Sequence, residues 1–334
     1  MSYRIERELS GDSVIVIEFG EGMAPDPYSG MNRMYSVNLN VPKEVSVGYP
    51  LTANTTSGST LGVPIARSTA YFPSYGTAVP GSGVPQRFAI LDNNGRVWES
   101  TSVTGTFTFL SAGNSTTGST SLDGIAYWCG FLIKTRQSSG IDFWNGTTWA
   151  SVAGAPSLSA GVKHFCYVGD DNVLYITNGS YLASIELDDP TNPNGLDLTD
   201  TNTFTFNPTT LQLDITDEAQ SLVDVGSGGS SGSTLLIGGS QGKIYPWDKV
   251  SSGFDKPISV AEPFIFNMLS VNQSALIFTG GGSYGTSNAG RGRIYITNGS
   301  QAEEWFKMPD YVFGLQDPLY QWGDAIFHRN QVLF

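Results

Sequence analysis

"YITNGS" occupies residues 175–180 and returns unchanged at 295–300, 120 positions further on. In both places an alternating apolar run leads into Asn-Gly, and a second strand-like run follows: "NVLYITNGSYLASIEL" (172–187) and "GRIYITNGSQAEEWF" (292–306). Asn-Gly between two such runs is the strongest short-range hairpin signal, because a type I′ turn needs positive φ at both central positions. Two hairpins would explain the identity without any repeat, so the rest of the chain has to decide.

Comparable segments recur. "RFAILDNNGRVWES" (87–100) and "SGIDFWNGTTWASV" (139–152) frame Asn-Gly in the same way, and "TLLIGGSQGKIYPWD" (234–248) uses Gly242 at a similar turn. The last nine residues, "IFHRNQVLF" (326–334), align without a gap to "YVGDDNVLY" (167–175). Markers then fall near 91, 142, 175, 245, 295 and 334, about 50 residues apart. Units of about 40–50 residues that hold several strands are the sign of β-propeller blades. One small twisted sheet cannot bury its apolar faces alone, whereas blades stacked around an axis cover both.

The expected fold is therefore all-β: a β-propeller of about five to six blades over 83–334, preceded by an N-terminal arm with short strands over 1–82. Blades are expected to begin near 83, 120, 161, 216, 263 and 309. "IAYWCGFLI" (125–133), "KHFCYVG" (163–169), "TLLIGG" (234–239) and "FIFNMLSV" (264–271) are read as inner strands. The stretch 187–235, with its Pro-Asn-Gly turn and "GSGGSSGS" (226–233), reads as an insertion. The alignment of Phe334 with Tyr175 leaves the last blade incomplete, and "DSVIVIEFG" (12–20) is a candidate strand to complete it. A β-sandwich or an open array of hairpins is the alternative.

Composition supports this class. Charged residues are only 14% while glycine reaches 40 residues and aromatics 12%, as expected of short strands and tight turns. The net charge of −13 opposes tight nucleic-acid binding, since phosphates must be neutralised by Lys and Arg. No basic residue lies between Lys163 and Lys243, yet Glu186, Asp188, Asp189, Asp197, Asp200, Asp214, Asp217, Glu218 and Asp224 do. These read as a solvated acidic loop. The N-terminal "MSYRIERELSGDS" has no apolar h-region, and no apolar run approaches bilayer length.

Motifs for chemistry are sparse. His164 and His328 have no HExxH partner, and neither a GxSxG elbow nor a Walker-type glycine loop occurs. Asp92, Asp123, Asp142, Asp170, Asp171 and Asp324 fall near strand ends, where turns favour Asp. Cys129 and Cys166 fit no zinc or redox spacing and read as reduced thiols, with a disulfide left open. The seven tryptophans read as filling between blades, with sugar stacking as the alternative. No catalytic, cofactor or metal residues are assigned, and a non-enzyme is expected.

Residues 14–52, "VIVIEFGEGMAPDPYSGMNRMYSVNLNVPKEVSVGYPLT", carry a further sign. A short strand, a Gly-rich turn, a D-P-Y-x-G element, an Asn-containing strand and a Pro turn succeed one another. The pattern resides in Phe19, Gly20, Gly22, Asp26, Pro27, Tyr28, Gly30, Asn38, Pro42 and Gly48. It resembles the opening of tailed-bacteriophage virion structural proteins, some of which place a β-propeller in the tail nozzle. The resemblance implies a virion tail component, assembled in the bacterial cytoplasm, whose partners are copies of itself in a ring and neighbouring adaptor, portal or tail proteins. DNA would pass such a wall without binding tightly. A carbohydrate-binding propeller is the alternative, and a glycosidase the less favoured one.

Overall fold

A computed structural model of the chain describes residues 87–92, 95–101, 106–110, 122–136, 140–154, 156–226, 232–271, 273–281 and 290–307, with the backbone of short strands elsewhere. The chain divides into two compact units, Met1–Asn54 and Thr55–Phe334. In the first unit, Tyr3–Leu9 pairs antiparallel with Ser13–Phe19, Ile5 opposite Ile17. Leu39–Asn40 pairs with Ser46–Val47. Ser13–Phe19, the candidate strand for the last blade, thus has one edge paired by Tyr3–Leu9. A partner a few residues away costs far less loop-closure entropy than one at the far end of the chain.

The second unit is a β-propeller. Four of its sheets are four-stranded meanders whose strands pair in chain order. Blade 2 holds Ile125–Trp128, Phe131–Arg136, Gly140–Trp144 and Trp149–Ser151; blade 3 holds Cys166–Val168, Leu174–Asn178, Tyr181–Leu187 and Phe204–Gln212. Blade 4 holds Ala219–Val225, Thr234–Gly239, Lys243–Trp247 and Ile258–Ser259; blade 5 holds Phe264–Val271, Ser274–Gly281, Gly290–Thr297 and Ala302–Lys307. Blade 1 runs Ala66–Phe72, Arg87–Asp92, Val97–Ser100 and Phe107–Phe109, with Thr56–Ser57 added parallel to its last strand. A hairpin of Ile326–His328 and Gln331–Leu333 follows blade 5. The first strand of each blade lies against the first strand of the next, so these are the inner strands.

The cores lie between blades rather than within them. Trp128, Ile133 and Phe143 of blade 2 meet Leu174, Ile176 and Ile185 of blade 3. Tyr175 and Leu182 meet Leu222, Leu235, Ile237 and Tyr245 of blade 4. Val223, Leu236 and Ile244 then meet Ile265, Met268 and Ile277 of blade 5. The strand Leu174–Asn178 is buried along its whole length. Its side chains alternate, so Leu174 and Ile176 enter one core while Tyr175 enters the next. Each fully buried Leu or Ile contributes about 1.5–3 kcal/mol.

Several boundaries differ from the sequence reading. The first blade starts at Ala66, not near 83, because Ala66–Phe72 pairs with Arg87–Asp92. "TLLIGG" is the second strand of blade 4. The inner strand is Ala219–Val225, whose Gln220, Ser221 and Asp224 hide its apolar character although all seven residues are buried. The stretch 187–235 is therefore not an insertion. It supplies the outermost strand of blade 3 and the inner strand of blade 4, and the actual excursion is the loop between Leu187 and Phe204.

The two "YITNGS" copies are not equivalent. Tyr175 lies on the second strand of its blade and Tyr295 on the third. In the first copy Asn178 pairs with Tyr181, leaving Gly179 (φ 68°) and Ser180 as a two-residue turn. Only the first central residue has positive φ, the requirement of a type II′ turn rather than type I′. In the second copy Thr297 pairs with Ala302, so four residues form the loop. Neighbouring contacts, not the hexapeptide, select the turn.

A turn with positive φ at both central positions does occur at Cys129 (φ 46°) and Gly130 (φ 86°), between paired Trp128 and Phe131. Cysteine bears the steric cost of the left-handed region there, which Asn tolerates. Cys129→Asn is expected to stabilise the chain by about 0.5–1 kcal/mol. An unchanged or lower urea midpoint would contradict this.

Candidate functional site

The polar residues of the propeller converge on two kinds of place. The first is the start of the inner strands. Asp123, His164, Asp217 and Glu262 each stand two residues before an inner strand, and all four are buried. Asp324 holds the same place before Ile326 in the sequence, but its side chain lies outside the described residues. A hydroxyl from the second strand, or in blade 4 from the residue just after it, answers each of the four. Thr135 Oγ1 accepts from Gly124 N at 2.8 Å, Thr177 Oγ1 from Phe165 N at 2.7 Å, and Ser240 Oγ from Glu218 N at 3.1 Å. In blade 5 the corresponding residue is Pro263, which has no N–H, and Thr279 Oγ1 instead donates to Glu262 at 3.0 Å.

Within this collar the acids are fully engaged. Asp217 accepts from the backbone N–H of Glu218 (2.9 Å), Ser240 (2.6 Å) and Gln241 (3.0 Å), from Ser240 Oγ (3.0 Å) and from Tyr245 OH (2.7 Å). Glu262 accepts from Tyr295 OH at 2.8 Å and pairs with Arg293 at 2.7 Å. Asp123 lies 3.7 Å from the Nζ of Lys134, which donates to Gly95 O of blade 1 at 2.5 Å. Burial pulls the Lys134 pKa down to about 8. His164 donates Nε2–H to Ser159 O at 3.0 Å, and its Nδ1 is buried without a hydrogen-bond partner.

The second place is the junction of blades 3 and 4. Lys249, itself in the left-handed region (φ 66°), reaches Asp224 at 2.8 Å, Asp170, and Asp171 at 3.8 Å. Ser233 Oγ donates to Asp170 at 2.6 Å, and Asp170 N donates to Asp224 at 2.8 Å. Burial works to lower Lys249, yet its bonds to Asp170 and Asp224 win and raise its pKa above the ordinary lysine value. The ammonium therefore stays charged and is no nucleophile at neutral pH. Asp224 is raised by burial, whereas Asp170 is lowered because its bonds to Lys249 and Ser233 outweigh desolvation. Opposite shifts in neighbouring carboxylates are also found in glycosidases, but there a sugar lies between them. Here both acids contact the same ammonium.

The acidic stretch thus separates in space. Asp189, Asp197 and Asp200 are exposed and close Asx turns on Thr191, Thr199 and Asn202, as a solvated loop should. Asp217 and Asp224 are interior. Asp92, Asp123 and Asp142 are also buried, unlike ordinary surface turn residues. Asp92 still serves its turn by accepting from Arg96 N at 2.9 Å, and Asp142 pairs with Arg136 at 2.7 Å. Cys129 and Cys166 are free thiols. Trp98, Trp128, Trp149 and Trp247 are buried, and Trp128 and Trp149 bridge blades through Asn172 O (2.8 Å) and Leu110 O (2.9 Å). Trp305, on the outermost strand of blade 5, is 54% exposed. Among the described residues no helix is long and apolar enough to cross a membrane, and no group of three His, Cys, Asp or Glu side chains is arranged to hold a metal ion.

No family model matches the chain, and no curated protein does. Solved structures similar to it include the β-propeller domain of Cps50 (Swd1) from Myceliophteria thermophila, at 12% identity and TM-score 0.43, covering 67% of this chain and 69% of that one. The Dos1 propeller is 15% identical with TM-score 0.47, covering 73% of this chain and 61% of its own. A putative gluconolactonase is 12% identical with TM-score 0.40, covering 67% and 74%.

Proposed function

We propose that this chain is a non-enzymatic β-propeller scaffold that works by assembly, as a nozzle-like structural component of a tailed-phage particle. One observation carries the non-enzymatic part: the acids of the most charged cluster are neutralised within the fold, Lys249 of blade 4 holding both Asp170 of blade 3 and Asp224 of its own blade. The shared ammonium joins the two blades and stands where a glycosidase would place the scissile bond between its acids. The phage assignment is supported by the resemblance in residues 14–52, whose matching positions other than Phe19 lie outside the described residues. The net charge of −13 suits a wall past which DNA moves without adhering. Neighbours in the ring would be further copies of the chain, together with adaptor, portal or tail proteins.

Mass photometry of the purified chain at micromolar concentration is expected to show a closed oligomer of one copy number, and fluorescence anisotropy no binding to duplex DNA at physiological salt. A persistent monomer, or tight DNA binding, would count against the proposal. The exposed Trp305 favours one second reading, a carbohydrate-binding face. If that reading holds, a glycan array gives a signal that Trp305→Ala abolishes; a blank array removes it.

A further inference from the structure

The duplicated hexapeptide offers an internal comparison in chemistry as well as in folding. Asn followed by Gly is prone to deamidate, because the glycine nitrogen meets no side chain as it attacks the asparagine Cγ. We propose that Asn298 is a site of spontaneous deamidation and that the fold protects Asn178, although both lie in the sequence Tyr-Ile-Thr-Asn-Gly-Ser. In the reaction, Gly299 N loses its proton to solvent and forms a bond to Cγ of Asn298. The Cγ–Nδ2 bond breaks, and ammonia leaves with a proton from water. Water then opens the succinimide at either carbonyl, giving aspartate or isoaspartate.

The structure sets the two sites apart. Asn178 is buried, and both ends of its amide are held by separate elements: Oδ1 accepts from Ser159 N at 2.6 Å, and Nδ2 donates to Pro208 O at 3.0 Å. The carbonyls of its turn are held as well, Gly179 O by Ala219 N and Ser180 O by Leu213 N, each at 2.8 Å. Carrying Cγ onto Gly179 N would break these bonds in a site closed to water. Asn298 is exposed in its four-residue loop. Among the described residues its Oδ1 accepts only from Ser300, N at 3.1 Å and Oγ at 2.8 Å, and neither donor engages Nδ2. A hydroxyl on Oδ1 also polarises the carbonyl under attack. The single bond opposing reaction is Gly299 N to Thr297 Oγ1 at 3.1 Å. Either product adds a carboxylate, and isoaspartate also a backbone methylene, in the turn before Glu303, Glu304 and Trp305.

The test incubates the full chain at 37 °C and pH 7.4 for several weeks, followed by digestion at mildly acidic pH. Peptides are read by mass spectrometry for the gain of about one mass unit, and isoaspartate by methylation with an isoaspartyl methyltransferase. Deamidation at Asn298 is expected to run at least tenfold faster than at Asn178. The same chain held in urea is expected to deamidate both at similar rates, because their near neighbours are identical. Equal rates in the folded chain, or faster reaction at Asn178, overturn the proposal.

Discussion

Asp217→Ala is expected to lower the unfolding free energy by about 3–5 kcal/mol, one of the largest losses available from a single side chain here. The carboxylate is buried and accepts from five donors on three segments: its own turn, the Ser240–Gln241 turn and Tyr245. Glu218 N keeps Ser240 Oγ as a second acceptor. Ser240 N retains Glu218 O at 3.0 Å. Gln241 is exposed, so its N–H can turn to water, whereas the Tyr245 hydroxyl is buried and keeps only Asp214 nearby; a buried donor left unpaired costs about 1–3 kcal/mol. Loss of packing against the turn adds to this. Urea denaturation of the variant measures the change. A midpoint within experimental error of the parent would show that the carboxylate contributes nothing net, and Asp217→Asn, which keeps the shape, should fall between the two.

The second large effect is acid lability from His164. Burial lowers its pKa to about 4 from an ordinary 6.5, against the smaller raising effect of the hydrogen bond to Ser159 O. Because Nε2–H faces that carbonyl, an added proton must go to Nδ1, where no acceptor awaits it. The sign follows from proton counts. Above pH 6.5 the ring is neutral in both folded and unfolded chains, and this group adds no pH dependence. Between 6.5 and 4 only the unfolded chain takes up the proton, so stability falls as pH falls. At about 1.4 kcal/mol per pH unit the total is roughly 3 kcal/mol. Asp142 and Asp224, raised by burial, titrate with the opposite sign in part of this window. The measurement is therefore the difference between the parent and His164→Gln, which keeps a donor for Ser159 O. The variant should show a flatter stability profile between pH 6 and 4.5. Parallel profiles would sink the assignment.

These two residues also show what was hard to read from the chain. In blades 2 to 5 the repeat is carried less by Asn-Gly turns than by one titratable residue set two places before the inner strand: Asp123, His164, Asp217 and Glu262; Pro64 holds that place before blade 1. Their identities differ, so no motif search finds them. The signal that could have done so is an acid or histidine immediately upstream of each short apolar run, as in "LDGIAYW" and "VKHFCYV". Asn-Gly misled because each blade contains three hairpins, and the same turn chemistry suits any of them. Aligning Tyr175 with Tyr295 mixed second strands with third strands. The inner strand Ala219–Val225 was missed for a related reason. Its Ser221 donates to Ile265 O of blade 5 at 3.3 Å and its Asp224 pairs with Lys249, so polar residues there are interior ones.

What depends on near neighbours was legible in the chain alone. Alternation of apolar residues, glycines at turns and scarce charge are local properties, and they specified short strands joined by hairpins and an all-β class. Which strand of a blade each hairpin became, which acids were buried, and which turn each "YITNGS" adopted came from the packed fold. Those outcomes depend on the blades on either side. Asn178 is held by Ser159 and Pro208, whereas Asn298 meets only its own loop, so identical residues reach different conformations. A strand covered on both faces gains its free energy from residues far away in the chain, and no window of sequence contains them.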